Sequence, residues 1–405
     1  MKKDKKNFVW NVIGLSLNAF VSLFLLIVVK RINGIDTAGI FTYAFSLSCL
    51  FYISCCFFSR TFQVSEYKRE FSFGDYFSSR IIFDVINLVI AFIFCIISGF
   101  DKYKIIIIIL LTFYKCIEAL CDSIFAQMQI EGNLYRSGIS YSLKAILGII
   151  IFFLIDYYTK SLLLSVIGLC VSILVVLFIY DFSSLENKIG RLTFNKDKFK
   201  KLLIVTFPIF IYSFLQNYLS NSQKIIMTYF IENKLQTIFG ILIMPATMLI
   251  LVGNYIIMPF VNDLTDRYKN KQYKEFDKVV NKMCLAVIII GLVCILLAYL
   301  FGIPVLNFIY NINLEEYKMM LIVILVGSIF TSMVMVFSNA LTILTINKKQ
   351  TIMYLIISLI ATVITIILAN FYGIKGLCYS YLVTFLLLVS SFYIVYKYQI
   401  KKLEE

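Results

Sequence analysis

Along the chain, long apolar runs alternate with short polar gaps at a spacing that predicts membrane-crossing helices. A spanning helix needs about 20 mostly apolar residues. Runs of that kind fall near residues 8–29, 39–58, 81–98, 105–126, 139–155 and 161–180, and again near 203–231, 238–260, 283–301, 319–338, 351–369 and 377–396. The pattern predicts an all-α polytopic membrane protein with about twelve transmembrane helices. The residues before the first run, Met1-Lys2-Lys3-Asp4-Lys5-Lys6, resemble the charged start of a signal peptide, but the run continues to Lys30 without a small-residue cleavage site. It is therefore expected to persist as the first helix.

Loop charge predicts orientation, because cytoplasmic loops carry the excess of Lys and Arg. With the N-terminus inside, 27 of the 37 basic residues fall on the inner side and 8 on the outer, Lys115 and Lys224 lying within spans. Both termini are thus expected in the cytoplasm of a bacterial cell, with the protein multi-pass in its plasma membrane. The two sets of six runs share a layout: the longest inner loop of each lies between its second and third helices, near 59–80 and 261–282. Two parallel six-helix lobes, 1–200 and 201–405, are expected, because an even number of spans returns the chain to the side from which it entered. All four prolines lie beyond residue 200, with Pro208 in the seventh span and Pro245 and Pro259 in the eighth. Each removes a backbone donor and bends a helix, as a moving gate requires, although prolines are also common in membrane helices generally.

Composition narrows the chemistry. The chain is 61% apolar, with a formal charge of +14 and no histidine, which removes His-based catalysis and His metal ligation. Its ten cysteines form no C-x-x-C and sit mostly in apolar runs, where thiols behave as small hydrophobes, so neither zinc nor a disulfide framework is expected. The basic excess follows from loop placement, some attraction to anionic headgroups is expected with it, and nucleic acid is not expected as a partner. A phosphate-binding G-x-x-x-x-G-K-[ST] is missing and the outer loops are short, so neither an ATPase site nor an external catalytic domain is expected.

The informative residues are polar ones within hydrocarbon. On the seventh span Asn217, Asn221, Lys224 and Thr228 fall at i, i+4, i+7 and i+11, one helical face. A charge at the bilayer centre costs about 2.5–3.5 kcal/mol on the insertion scale, so Lys224 either faces a cavity or partner, or reaches the outer interface along its aliphatic stem. Asn18 in the first span and Asn254 in the eighth add polar groups suited to substrate contact or to joining helices. In the fourth span Lys115, Glu118 and Asp122 share a face, with Lys115 about 15 Å below the outer end at about 1.5 Å per residue. Two readings stand for them: an ion pair joining helices, or an acid exchanging H⁺ or Na⁺ during transport. Arg60, ending the second span, is placed to meet an anionic headgroup or to act as a positive-inside anchor.

Several short motifs, taken in order, resemble one family. Lys30-Arg31-Ile32-Asn33-Gly34 and Ala38-Gly39-Ile40-Phe41 are similar to its R-x-L-G and G-x-Y after helix one; Pro208 opens helix seven. Ser222-Gln223-Lys224-Ile225 and Phe239-Gly240-Ile241 are similar to its D-[KR]-x-x-I and G-x-Y. Gly302-Ile303-Pro304-Val305-Leu306 and Tyr372-Gly373-Ile374-Lys375-Gly376 are similar to G-x-P-[IVL]-L and Y-G-I-x-G. The family is that of the O-antigen and capsule polysaccharide flippases, within the multidrug/oligosaccharidyl-lipid/polysaccharide exporter superfamily.

The resemblance implies two six-helix lobes around a central V-shaped cavity, alternating access, and movement of undecaprenyl-pyrophosphate-linked oligosaccharide to the outer leaflet for surface polysaccharide biosynthesis. It implies membrane lipids, glycosyltransferases and a polysaccharide polymerase as partners, no cofactor beyond H⁺ or Na⁺ coupling, and no enzymatic activity. A cationic role toward the substrate carries over to Lys224 and Arg60. Gln223 stands where the family commonly has an acid, which puts ion coupling at that position in doubt. A multidrug exporter of the same superfamily is the nearest alternative, but residues 8–29 lack the acid and the proline typical of helix one in those proteins.

Overall fold

A computed structural model describes residues 2–66, 70–185, 195–257 and 260–404. Among them every regular element is helical: α1 Lys2–Asn33, α2 Ile35–Cys55, α3 Arg60–Ser65, α4 Phe73–Ile97, α5 Lys102–Ile130, α6 Leu134–Thr159, α7 Leu162–Val176, α8 Lys196–Ile226, α9 Asn233–Leu242, α10 Met244–Ile257, α11 Phe260–Lys269, α12 Tyr273–Leu297, α13 Ile303–Tyr310, α14 Lys318–Ile343 and α15 Asn347–Glu404. Ten segments are long and apolar enough to cross a membrane. Two more complete the set. Lys115, Glu118 and Asp122 make α5 too charged for that criterion, although it has 29 residues, and the 58-residue α15 holds two helices joined at Gly373. Among the described residues this makes twelve helical segments long enough to span, as the apolar pattern predicts.

Helix starts follow local chemistry. At α4, Ser72 Oγ accepts from the Asp75 amide at 3.2 Å while the Asp75 carboxylate accepts from the Ser72 amide at 2.8 Å, a reciprocal cap that satisfies otherwise orphaned donors. Asp101 caps α5 through the Lys104 amide at 3.0 Å. Gly373 has φ 55° and ψ −130°, a region that side-chain-bearing residues avoid. That one residue divides the last run into the eleventh and twelfth spans.

Four features differ from the sequence reading. The third span begins at Phe73 and not near 81, which takes Arg80 two turns into α4. Lys144, counted among the inner-side charges, is buried within α6. The eighth span is broken at Ile243, and Pro245 lies in the first turn of α10, where a missing N–H costs least. The ninth continues through a π-helical stretch, Ala298–Gly302, into α13, so much of the supposed outer loop is helix. Pro259 lies outside the described residues, whereas Pro208 sits within continuous α8.

The chain divides into two compact units, Met1–Asn217 and Tyr218–Glu405. In the first, α1 packs along α6, α2 and α4 along α5, and α7 against α5 and α6; in the second, α14 packs against α10, α12 and α15. Outward faces carry residues such as Val85, Val89, Ile93 and Ile96 of α4 and Leu285, Ile289, Leu292 and Leu296 of α12, as lipid contact demands. Because lipid is as apolar as these side chains, helices join through close backbone approach and polar contacts. At the α1–α6 crossing, a Cβ on Gly14 would overlap the Gly138 backbone, and one on Gly138 would overlap the Trp10 carbonyl. Gly138→Val should therefore destabilise the protein by at least about 1–3 kcal/mol. Thermal unfolding in detergent checks this against lipid-facing Val89→Ala, and equal melting temperatures for the two variants would refute the packing argument.

Candidate functional site

The sequence-predicted polar residues Asn18, Arg60, Lys115, Glu118 and Asp122 converge on α5. Lys115 Nζ lies 2.6 Å from Glu118 Oε2, and Asn18 of α1 donates to Glu118 Oε1 at 3.4 Å. One turn further on, Asp122 Oδ2 lies 3.3 Å from both Nη1 and Nη2 of Arg80, and Asp122 Oδ1 lies 3.6 Å from Arg60 Nη1. Arg60 also donates from Nε at 3.2 Å and from Nη2 at 3.0 Å to Gln129 Oε1. The expected face of Lys115, Glu118 and Asp122 therefore exists, and it gathers Asn18 and Arg60 into the same network. Lys115 and Glu118 do form an ion pair, but within α5 at i,i+3, and it is Asn18 that links Glu118 to another helix. The position of Lys115 over the rings of Phe45, Tyr52 and Tyr114, at 5.0, 5.5 and 5.5 Å, adds cation–π attraction.

Sequence reasoning missed Arg80, which is fully buried. Besides Asp122, it donates to the carbonyl oxygen of Phe58 at 2.6 Å and to that of Ala119, joining the segment after α2, α4 and α5 through one guanidinium. A usable signal was present: Tyr76, Arg80, Asp84 and Asn87 recur at helical spacing on α4, and all four are buried. Two further intramembrane groups were also missed. Lys144 pairs with Asp181, whose Oδ1 accepts from Ser140 Oγ at 2.5 Å. Asp156, fully buried near the end of α6, accepts from Asn33 Nδ2 at 2.6 and 2.7 Å and from Ser165 Oγ at 3.0 Å.

The other predicted group lies on α8. Asn217, Asn221, Lys224 and Thr228 are each half-buried, while Leu215, Leu219, Ser222 and Ile226 on the opposite side are buried. Every member of the polar face has an interaction partner. Lys224 occupies the last turn of α8, where the exposed carbonyls of the helix end favour a cation. The helix continues to Ile226 and a 3₁₀ turn follows to Tyr229, so α8 does not end before Lys224. Asn254 is half-buried on α10. A cavity of about 260 Å³ in the first unit is lined by Gln63, Glu66, Tyr76 and Gln127 among others. It contains none of the predicted site residues, and Glu66 makes it a poor receptor for an anion.

In the α5 network three cations, Arg60, Arg80 and Lys115, meet two anions, Glu118 and Asp122. Removing one partner of such a pair leaves the other charge uncompensated at a cost of about 3–5 kcal/mol. Arg80→Leu should therefore unfold well below wild type, and the double variant Arg80→Leu/Asp122→Leu should lose less than the sum of the two single variants. Additive losses in thermal unfolding would show that the two side chains are not coupled.

No family model matches the chain. It is 24% identical over 328 residues to the capsular polysaccharide biosynthesis protein CapF of Staphylococcus aureus, covering 80% of this chain and 82% of the relative. Among solved structures, it superposes with a TM-score of 0.74 on an inward-facing multidrug resistance MATE family transporter of the MOP superfamily, at 12% identity over 97% of this chain and 99% of that one. A MOP superfamily transporter from Pyrococcus furiosus, described as having a binding pocket of reversed polarity, matches with a TM-score of 0.60 and 13% identity over 100% and 96%. The resemblance read from the motifs is thus borne out, and the chain has the fold of the MATE transporters of the MOP superfamily.

Proposed function

We propose that this protein is a flippase that carries a prenyl-pyrophosphate-linked oligosaccharide from the inner to the outer leaflet of the bacterial plasma membrane by alternating access, with both termini cytoplasmic. The observation that carries the reading is the similarity to a capsular polysaccharide biosynthesis protein over most of both chains, on a fold shared with MATE transporters. The physics agrees. A hydrophilic glycan and the charges of a pyrophosphate cannot cross hydrocarbon unaided, whereas the prenyl tail can stay in lipid. No bond is made or broken, so polar lining and two alternating conformations are sufficient.

Within this reading Lys224 is the cation for the pyrophosphate, with Asn217, Asn221, Asn18 and Asn254 offering hydrogen bonds to the glycan. Arg60, already held by Asp122 and Gln129, binds substrate only by trading those partners. The α5 acids supply coupling. A proton on Glu118 would remove its attraction for Lys115 and loosen the Asn18 link between α1 and α5. Glycosyltransferases and a polymerase would act before and after the flip. A multidrug exporter is the second reading, favoured by the description of the transporter structure to which the chain is similar.

Reconstituted proteoliposomes test the first reading through transbilayer movement of a prenyl-pyrophosphate oligosaccharide. Wild type should move it, Lys224→Ala should lose roughly 10- to 100-fold, as expected for one charge-assisted hydrogen bond of about 1.5–3 kcal/mol, and Lys224→Arg should retain most of the rate. An equally active Ala variant would leave the function standing and remove Lys224 from the site. No movement by folded wild type, with efflux of a cationic dye instead, would establish the exporter. In the same vesicles an imposed proton gradient should change the wild-type rate and leave that of Glu118→Gln unchanged. A Gln variant that responds like wild type would exclude Glu118 as the coupling acid.

A further inference from the structure

The first unit contains a cluster that neither the α5 ion network nor the proposed transport cycle uses. Cys55 at the end of α2, Cys116 on α5 and Asp84 on α4 bring two thiols and a carboxylate within 4.8 Å of one another. All three are more than nine-tenths buried. The two Sγ atoms are 3.5 Å apart, too far for a disulfide and near the ~3.8 Å edge of a tetrahedron built on metal–sulfur distances of about 2.3 Å. Neither oxygen of Asp84 accepts an N–H or O–H, although buried carboxylates are normally well supplied with donors. The nearest arginine, Arg80 one turn earlier, is directed to Ala119, Phe58 and Asp122. What faces the carboxylate is the thiol pair, with Cys55 beside it and Cys116 Sγ 3.8 Å from the Asp84 carbonyl oxygen.

We propose that Cys55, Cys116 and Asp84 form a binding site for one thiophilic divalent cation, of which Zn²⁺ is the type. Two thiolates select a soft or borderline metal over Mg²⁺ or Ca²⁺, and the carboxylate completes a three-ligand set that leaves one position open. Binding displaces the two thiol protons to solvent. Any proton on Asp84 leaves with them, and the metal with two thiolates and one carboxylate carries one net negative charge, one turn from the Arg80 guanidinium. Cys56 packs against the same cluster, but its sulfur lies 4.0 Å from Arg80 Nη1, so it serves the arginine and not the metal. The site fastens α2, α4 and α5 together beside the Arg80 network. This explains why two cysteines and an acid meet in apolar surroundings, a coincidence that thiols acting as small hydrophobes would not require of the carboxylate.

The test uses full-length protein in detergent with Co²⁺ as the probe, whose thiolate-to-metal charge-transfer absorption reports sulfur ligation directly. Wild type should develop the band with saturation at one equivalent per chain, and excess Zn²⁺ should abolish it. Cys55→Ser/Cys116→Ser should lose the band, Asp84→Asn should bind at least 10-fold more weakly, and Cys121→Ser, a buried thiol elsewhere on α5, should keep it. If the double variant does not remain monodisperse, the monodisperse single variants Cys55→Ala and Asp84→Asn decide the question by the same readout. No band in wild type, a band surviving loss of Cys55 and Cys116, or equal loss in Cys121→Ser would each overturn the proposal.

Discussion

The constraint on which the first unit depends is that no charge can remain uncompensated at membrane depth. Arg80 shows how the chain meets it. Its buried guanidinium donates to two backbone carbonyls and one carboxylate, so a group that would be intolerable alone becomes the tie between α4, α5 and the segment following α2. Asp122, satisfied by Arg80, can then also hold Arg60 of α3. The same logic runs along α5 to Lys115 and Glu118 and across to Asn18 of α1. Since lipid offers helices no hydrophobic reason to associate, these polar contacts and the close glycine approach of α1 to α6 set which helices are neighbours.

The membrane class, the twelve spans and the face of Lys115, Glu118 and Asp122 were legible in the sequence because each depends on local periodicity, which one chain displays directly. Arg80 was not, for a physical reason. A basic residue at the edge of an apolar run looks the same whether it ends a loop or is paired inside a helix, and the two cases differ only in whether a distant carboxylate meets it. Forty-two residues separate Arg80 from Asp122. Lys144 and Asp181 repeat the lesson at a separation of 37. The apparent excess of acid on α5 disappears once Arg60 and Arg80 are added, and neither is on that helix.

The motifs that carried the resemblance prove to have backbone meaning as well. In Tyr372-Gly373-Ile374-Lys375-Gly376 the first glycine holds the positive φ that separates two helices, and a Cβ on the second would strike the Leu368 carbonyl. Gly34 likewise turns α1 into α2 with φ 93°. These glycines serve the connection between helices, whatever the protein transports. They consequently speak for fold more strongly than for substrate.

Gln223 bears on where coupling resides. At the position where an acid is common in the resembling family, this chain has a buried amide whose oxygen accepts from Ser222 Oγ at 3.2 Å, a neutral contact with no proton to exchange. The ion pairs described in the second unit, Arg267 with Asp263 and Glu275, Lys278 with Glu275, and Lys397 with Asp277, lie at helix ends. Those buried within helices, Lys115 with Glu118, Arg80 with Asp122 and Lys144 with Asp181, belong to the first. Buried pairing of charge within helices is thus, among the described residues, a feature of the first unit, and Gln223 adds no acid to the second.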